Sequence, residues 1–177
     1  MRLFIACELP VELREALTET SALLRDHLPG RYVAPDSFYI TLAFLGEVPG
    51  TRIVELQDLL EDACAGYGPI PIKLGELGYF GKRGKAALWQ GFAPDAGRDR
   101  LEELADSVRR HLSRAGFDFD GKSFLPHITL MRAADLTAGT LPGPQDLAGS
   151  ITRVSLFSSD LSGERPSYEA LYTVELG

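Results

Sequence analysis

Cysteine is nearly absent. Cys7 and Cys64 are the only two, too few for a disulfide framework and without the spacing of a metal-ligand set. Such sparse use fits a reducing compartment. Long apolar runs are missing as well. Nothing approaches the ~18 residues of a membrane span, and Met1-Arg2-Leu3-Phe4-Ile5-Ala6 meets Glu8 too soon for a signal peptide. The expectation is a soluble, cytoplasmic protein with no membrane partner. Positive charge is in deficit, with 18 Lys and Arg against 25 Asp and Glu, a net charge of −7. A broad basic footprint is therefore lacking and duplex DNA is not an expected partner, although a local cationic cleft for one phosphate is compatible with the balance. Gly78, Gly81 and Gly84 do not have the spacing of a dinucleotide loop or a Walker loop, so no cofactor is expected. No short period points to a coiled coil or collagen.

What is present suits a globular chain. The 177 residues are 45% hydrophobic, enough for one compact domain or two small lobes sharing a core. Residues 2–8 read as a buried strand ended by Pro10, and 11–28 as a helix followed by Pro29-Gly30. Tyr32 to Gly46 reads as strand, 51–65 as a second helix, and 69–80 with 86–92 as a hairpin around Lys82-Arg83-Gly84-Lys85. A third helix is expected over 97–115, with Phe117–Phe119 and Ile128–Met131 extended and 135–150 a loop. The C-terminus reads as a hairpin of 151–161 and 167–175. Strands and helices mix without a long parallel pattern, so the expected fold class is α+β or mixed α/β, in one unit over 1–177.

An internal repeat carries the functional signal. Ser37-Phe38-Tyr39-Ile40-Thr41-Leu42 resembles Ser123-Phe124 followed by His127-Ile128-Thr129-Leu130, and Tyr39 and His127 lie 88 residues apart, about half the chain. In a strand, side chains alternate, so His127 and Thr129 share one face while Ile128 and Leu130 enter the core. Tyr39 and Thr41 do the same in the first copy. Two lobes related by a pseudo-twofold axis would set these strands across a cleft. A phosphate there would meet two proton-transfer groups and two hydroxyl donors. Phosphodiester hydrolysis asks for a base on the attacking oxygen and an acid on the leaving one, in line. Histidine, with an unperturbed pKa of ~6.5, serves either role near neutrality. The alternative is that all four are ordinary half-buried strand residues.

Phe124-Leu125-Pro126-His127-Ile128-Thr129-Leu130-Met131-Arg132 resembles the second signature of the two-histidine phosphoesterases, and among them the RNA 2′,3′-cyclic phosphodiesterases, also called the 2′-5′ RNA ligase family. Arg2–Pro10 resembles the family's opening strand, Thr41–Val48 the tail of its first signature, Gly78–Gly81 with Ala87–Trp89 its middle hairpin, and Val154–Ser159 with Tyr168–Tyr172 its closing strands. The resemblance implies a bilobal α+β fold, two antiparallel sheets around a central cleft with helices outside. It also implies metal-independent opening of a 2′,3′-cyclic phosphate to a 2′-phosphate, on RNA ends or small cyclic nucleotides; a monomer is the expected state. Carried over, His127 is the proton acceptor, and Thr41, Thr129 and Arg132 hold phosphate. Tyr39 stands where the family has the donor histidine. A phenol with pKa ~10 can donate a proton but is a very poor base at pH 7, so Tyr39 cannot exchange roles with His127. A weakly catalytic nucleotide- or phosphate-binding module is the rival function, and a phosphoesterase for another small cyclic or diphosphate substrate is a third.

The remaining features have structural explanations. His27 suits a helix C-terminus and His111 a solvated helix face. Lys82-Arg83-Gly84-Lys85 is a soluble hairpin tip or a clamp for RNA phosphates. Asp118 and Asp120 are solvent-facing on one strand face. Trp89 and Phe80 belong to the core, unless one lines the cleft and stacks on a base.

Overall fold

The short apolar runs and the 3- and 4-residue stripes become strands and helices close to their expected places in the computed structural model, which describes residues 1–177. In chain order these are β1 (Arg2–Glu8), α1 (Val11–Arg25), β2 (Arg31–Tyr32), β3 (Tyr39–Glu47), α2 (Ile53–Cys64), β4 (Ile70–Lys82), β5 (Lys85–Phe92), α3 (Ala96–Arg114), β6 (Ile128–Ala134), β7 (Ala148–Ile151), β8 (Arg153–Asp160) and β9 (Ser167–Glu175). Helix α3 begins at Asp95, whose carboxylate accepts the Arg98 backbone N–H at 3.0 Å, and ends before Gly116 in the left-handed region at φ 78°. In α1 Leu13, Leu17 and Leu24 face inward, whereas Val11 and Leu23 are exposed.

Three expectations need correcting. The Tyr32–Gly46 stretch is not one strand, because a single 3₁₀ turn at Pro35–Ser37 divides β2 from β3, and Pro35 has no N–H for a ladder. Phe117–Phe119 and the two aspartates beside Phe119 belong to no strand. The 135–150 segment is not all loop: its end enters β7, which pairs antiparallel with β4, Ile70 opposite Ile151.

All strand pairs are antiparallel, in two sheets ordered β3-β1-β8-β9 and β2-β6-β5-β4-β7. The orders match with β1-α1-β3 set on β5-α3-β6, β8 on β4, and β9 on β7. The strand–helix–strand block before each repeated motif is thus the same supersecondary unit used twice. The sheets share one continuous apolar core that includes faces of all three helices. A smaller cluster of Phe4, Ala6 and Phe157, with Tyr39 and Tyr168 against it, covers another face of the first sheet.

The repeat extends to an irregularity that period-2 reasoning does not foresee. Thr41 opposes Ala6 and Ala43 opposes Ile5, so Leu42 is an extra residue. Thr129 opposes Trp89 and Met131 opposes Leu88, so Leu130 is extra in the same way. Each bulge re-aims the strand after its threonine. Two buried residues follow in succession, Leu42-Ala43 and Leu130-Met131, and Phe44 and Arg132 then return to the side of Thr41 and Thr129. The Leu42 carbonyl accepts from Arg109 Nε of α3 at 2.9 Å, which satisfies the bulge and ties the helix of one unit to the strand of the other.

Candidate active site

Tyr39, Thr41 and Phe44 from β3 and Thr129 and Arg132 from β6 line one cavity of about 470 Å³. Four of the five residues singled out in the sequence therefore converge. The fifth, His127, precedes β6 by one residue and is not among the residues lining that cavity. Strand alternation sets it on the Thr129 side, and its ring lies 5.2 Å from Phe80 and 5.9 Å from Trp89.

The imidazole has a defined tautomer. Nδ1 lies 2.6 Å from the Leu125 carbonyl oxygen, which can only accept, so Nδ1 carries the proton and Nε2 presents a lone pair. Burial pushes the His127 pKa below its ordinary value, and the Arg132 guanidinium acts the same way against the opposing backbone hydrogen bond. His127 is neutral at pH 7, as a proton acceptor must be.

Tyr39 is the opposite kind of group. Burial raises its pKa above 10, with Glu8, Asp36 and Tyr168 adding to the rise and Arg14 opposing it. The phenol stays protonated throughout the neutral range. Around it runs an aromatic wall: Phe157 and Phe4 stack with centroids 5.1 Å apart, Phe4 and Phe44 at 5.5 Å, and Tyr168 meets Phe4 edge-on. Phe44 closes this stack and is 37% exposed.

Trp89 and Phe80 are not core residues. Phe80 is 46% exposed and the two rings flank His127. Trp89 lies over Gly78, where a Cβ would fall 2.3 Å from its ring. Gly78→Val should therefore displace the indole and destabilise by about 1–3 kcal/mol. Trp89 is the only tryptophan, so its fluorescence reports the shift during thermal unfolding. Unchanged emission and Tm would mean that the ring does not depend on residue 78.

Other candidates lie elsewhere. His27 is exposed, two residues beyond the end of α1, with Nε2 3.1 Å from the Thr140 carbonyl oxygen. His111 is half-buried on α3, its Nδ1 2.8 Å from the Ser107 carbonyl oxygen. The Lys82–Lys85 tip is exposed and lines neither main cavity. A second cavity of about 710 Å³ lies beyond Trp89, but Lys73 there is paired with Asp146 at 3.0 Å and Arg98 with Glu102 at 3.3 Å. Sequence reasoning missed Arg31 and Arg165 in the smaller cavity; both are exposed arginines in irregular or two-residue segments, where no periodicity marks a face. No three His, Cys, Asp or Glu side chains gather into a metal-ligating cluster.

Two threonine hydroxyls, a guanidinium and a protonated phenol from two pseudo-symmetric strands line one cavity, with a neutral imidazole one residue before β6, a set of groups suited to a phosphoester. The family model of the 2'-5' RNA ligase superfamily matches residues 9–160, and the chain belongs to that superfamily. A protein of Escherichia coli K12 called RNA 2',3'-cyclic phosphodiesterase is 34% identical over 175 residues, 96% of this chain and 93% of that one. One of Thermotoga maritima with the same name is 29% identical over 97% of this chain and 94% of its own. Against a third, from Geobacillus stearothermophilus, 35% identical over 131 residues, the match spans 73% of this chain and 41% of the relative. E. coli LigT, solved in complex with 3'-AMP, has a TM-score of 0.82 at 32% identity, covering 99% of this chain and 97% of LigT. The α+β fold with two antiparallel sheets that the resemblance implies is therefore correct. No helix is long and apolar enough to cross a membrane.

Proposed function

We infer that the protein is an RNA 2′,3′-cyclic phosphodiesterase that opens the cyclic phosphate at RNA ends to a 2′-phosphate. Its relatives carry that activity in their names at 28–35% identity, and E. coli LigT has been solved with 3'-AMP, NADP+ and ATP. The observation that carries the residue assignment is the duplicated bulged strand, which supports one cleft supplied with Tyr39 and Thr41 from one half and His127, Thr129 and Arg132 from the other.

On this assignment Thr41, Thr129 and Arg132 hold the phosphate oxygens, the guanidinium meeting the charge with paired N–H donors. His127 Nε2 takes a proton from water, whose oxygen attacks phosphorus. The P–O3′ bond breaks in line and Tyr39 gives its proton to O3′, leaving the phosphate on O2′. Solvent then returns the proton from imidazolium to phenolate. Because O2′ and O3′ belong to the same ribose, the in-line axis sets the nucleoside on the Tyr39 side, where Phe44, stacked on Phe4 and with the Arg2 guanidinium 5.5 Å from its ring centroid, ends the aromatic row. Phe80 and Trp89 stand on the water side and keep the imidazole neutral by burial. The protein acts as a monomer in the cytoplasm, consistent with a cleft furnished by one chain and with two buried, free thiols.

Incubation with a panel of nucleoside 2′,3′-cyclic phosphates in the presence of chelator tests the assignment. The expected product is the 2′-phosphate alone, with turnover unaffected by chelator. Accumulation of the 3′-phosphate would reverse the axis, and chelator-sensitive turnover would overturn a mechanism built on these side chains only.

A further inference from the structure

Three arginines, Arg31, Arg132 and Arg165, line the cavity that holds Tyr39 and Thr129. Arg31 of β2 is the register partner of Arg132 on β6, and Arg165 enters from the connection between β8 and β9. Like charges directly opposite on neighbouring strands oppose folding. None of the three takes part in any ion pair of the molecule. Glu164 is the only carboxylate in the cavity wall, and the chain as a whole is anionic. A cyclic phosphodiester bears a single negative charge, for which Thr41, Thr129 and Arg132 already suffice. Arg31 and Arg165 are therefore cations in excess of what the reacting phosphate needs.

We propose that Arg31 and Arg165 form a second anion subsite, which binds the phosphate on the 5′ oxygen of the terminal nucleoside. This rests on the phosphodiesterase assignment and narrows its substrate: an end carrying a 5′ phosphate is preferred over a bare nucleoside 2′,3′-cyclic phosphate. Arg31, Tyr32, Val33, Ala34, Ser37 and Tyr39 all line the cavity, so a nucleoside held at Tyr39 and Phe44 shares its wall with Arg31. The second phosphate has two sources, a monoester on a mononucleotide or the phosphodiester that continues an RNA chain. Both present the same anionic oxygens to planar guanidiniums.

Three substrates separate the cases: a nucleoside 2′,3′-cyclic phosphate, its 5′-phosphorylated form, and a dinucleotide ending in the cyclic phosphate. Wild-type kcat/KM should favour the second and third over the first by about ten- to a hundredfold, the worth of one charge-assisted contact. Arg31→Gln and Arg165→Gln should each shrink that ratio, with Arg31→Lys restoring part of it. A gain for the monoester alone supports the subsite and identifies a free 5′-phosphate as its ligand, whereas a gain for the dinucleotide alone overturns it in favour of contacts to the second nucleoside. Equal kcat/KM on all three overturns the subsite and leaves the phosphodiesterase standing. If no substrate turns over, the phosphodiesterase assignment falls instead. Calorimetric Kd values for a nucleoside 2′-phosphate and its 2′,5′-bisphosphate then decide the subsite, equal affinities refuting it.

Discussion

Changing His127 to alanine lowers the rate of cyclic-phosphate opening by on the order of 10²–10⁴-fold, the usual worth of a positioned general base. Neither Tyr39 nor Arg132 can replace it. Tyr39 is protonated and has its pKa raised by burial, while Arg132 is permanently charged and has no lone pair to offer. Phosphate affinity should survive, because Thr41, Thr129 and Arg132 are untouched. A single-turnover assay beside phosphate titration separates the two quantities. Wild-type rates in His127→Ala would remove the imidazole from the mechanism. Loss of phosphate binding with the rate would instead make His127 a binding group.

The second large effect concerns Tyr39 and is read from pH. The wild-type rate should climb with pH through the lowered pKa of His127, below 6.5, since only the neutral imidazole accepts a proton. It should then stay level until Tyr39 ionises above pH 10, since only the protonated phenol donates. Tyr39→Phe keeps the aromatic contacts with Phe157 and Tyr168 but removes the proton, so the rate falls and the alkaline limb vanishes. Tyr39→His supplies an acid matched to neutral pH. The rate should rise, and the broad plateau should narrow to a bell whose descending limb lies near the ordinary histidine pKa of ~6.5. A wild-type alkaline limb near neutrality would exclude the phenol as donor. If wild type and a folded Tyr39→His are both inactive yet bind phosphate, the cleft is a binding module and the donor role of residue 39 fails with it.

The bulges explain why Phe44 and Arg132 occupy matching places with different chemistry. Each follows its threonine by three residues, and each returns to the cleft only because Leu42 or Leu130 drops out of register. One half thereby offers an aromatic face and the other a cation. A nucleotide has both a base and a phosphate, so a duplicated strand with this one divergence suits a ligand that is itself asymmetric.

The sequence by itself determined the three helices and most of the strands, and it marked Tyr39-Thr41 and His127-Thr129 as two copies of one strand pattern. These follow from local causes: apolar spacing sets helix and strand faces, and a repeated pattern buries and exposes the same positions twice. It also marked Arg132, through resemblance. Only the tertiary structure decided that Phe44 shares the cleft, that Trp89 and Phe80 flank the imidazole instead of filling the core, and that Arg31 and Arg165 join Arg132. Each depends on register or on a long-range approach. A bulge shifts alternation by one residue without any change in composition, the bare Gly78 backbone admits the Trp89 ring, and Arg31 meets Arg132 across 101 residues of chain because β2 adds to the edge of β6. Such pairings are selected by the packing of the whole sheet, and a single strand's sequence contains no term for its neighbour.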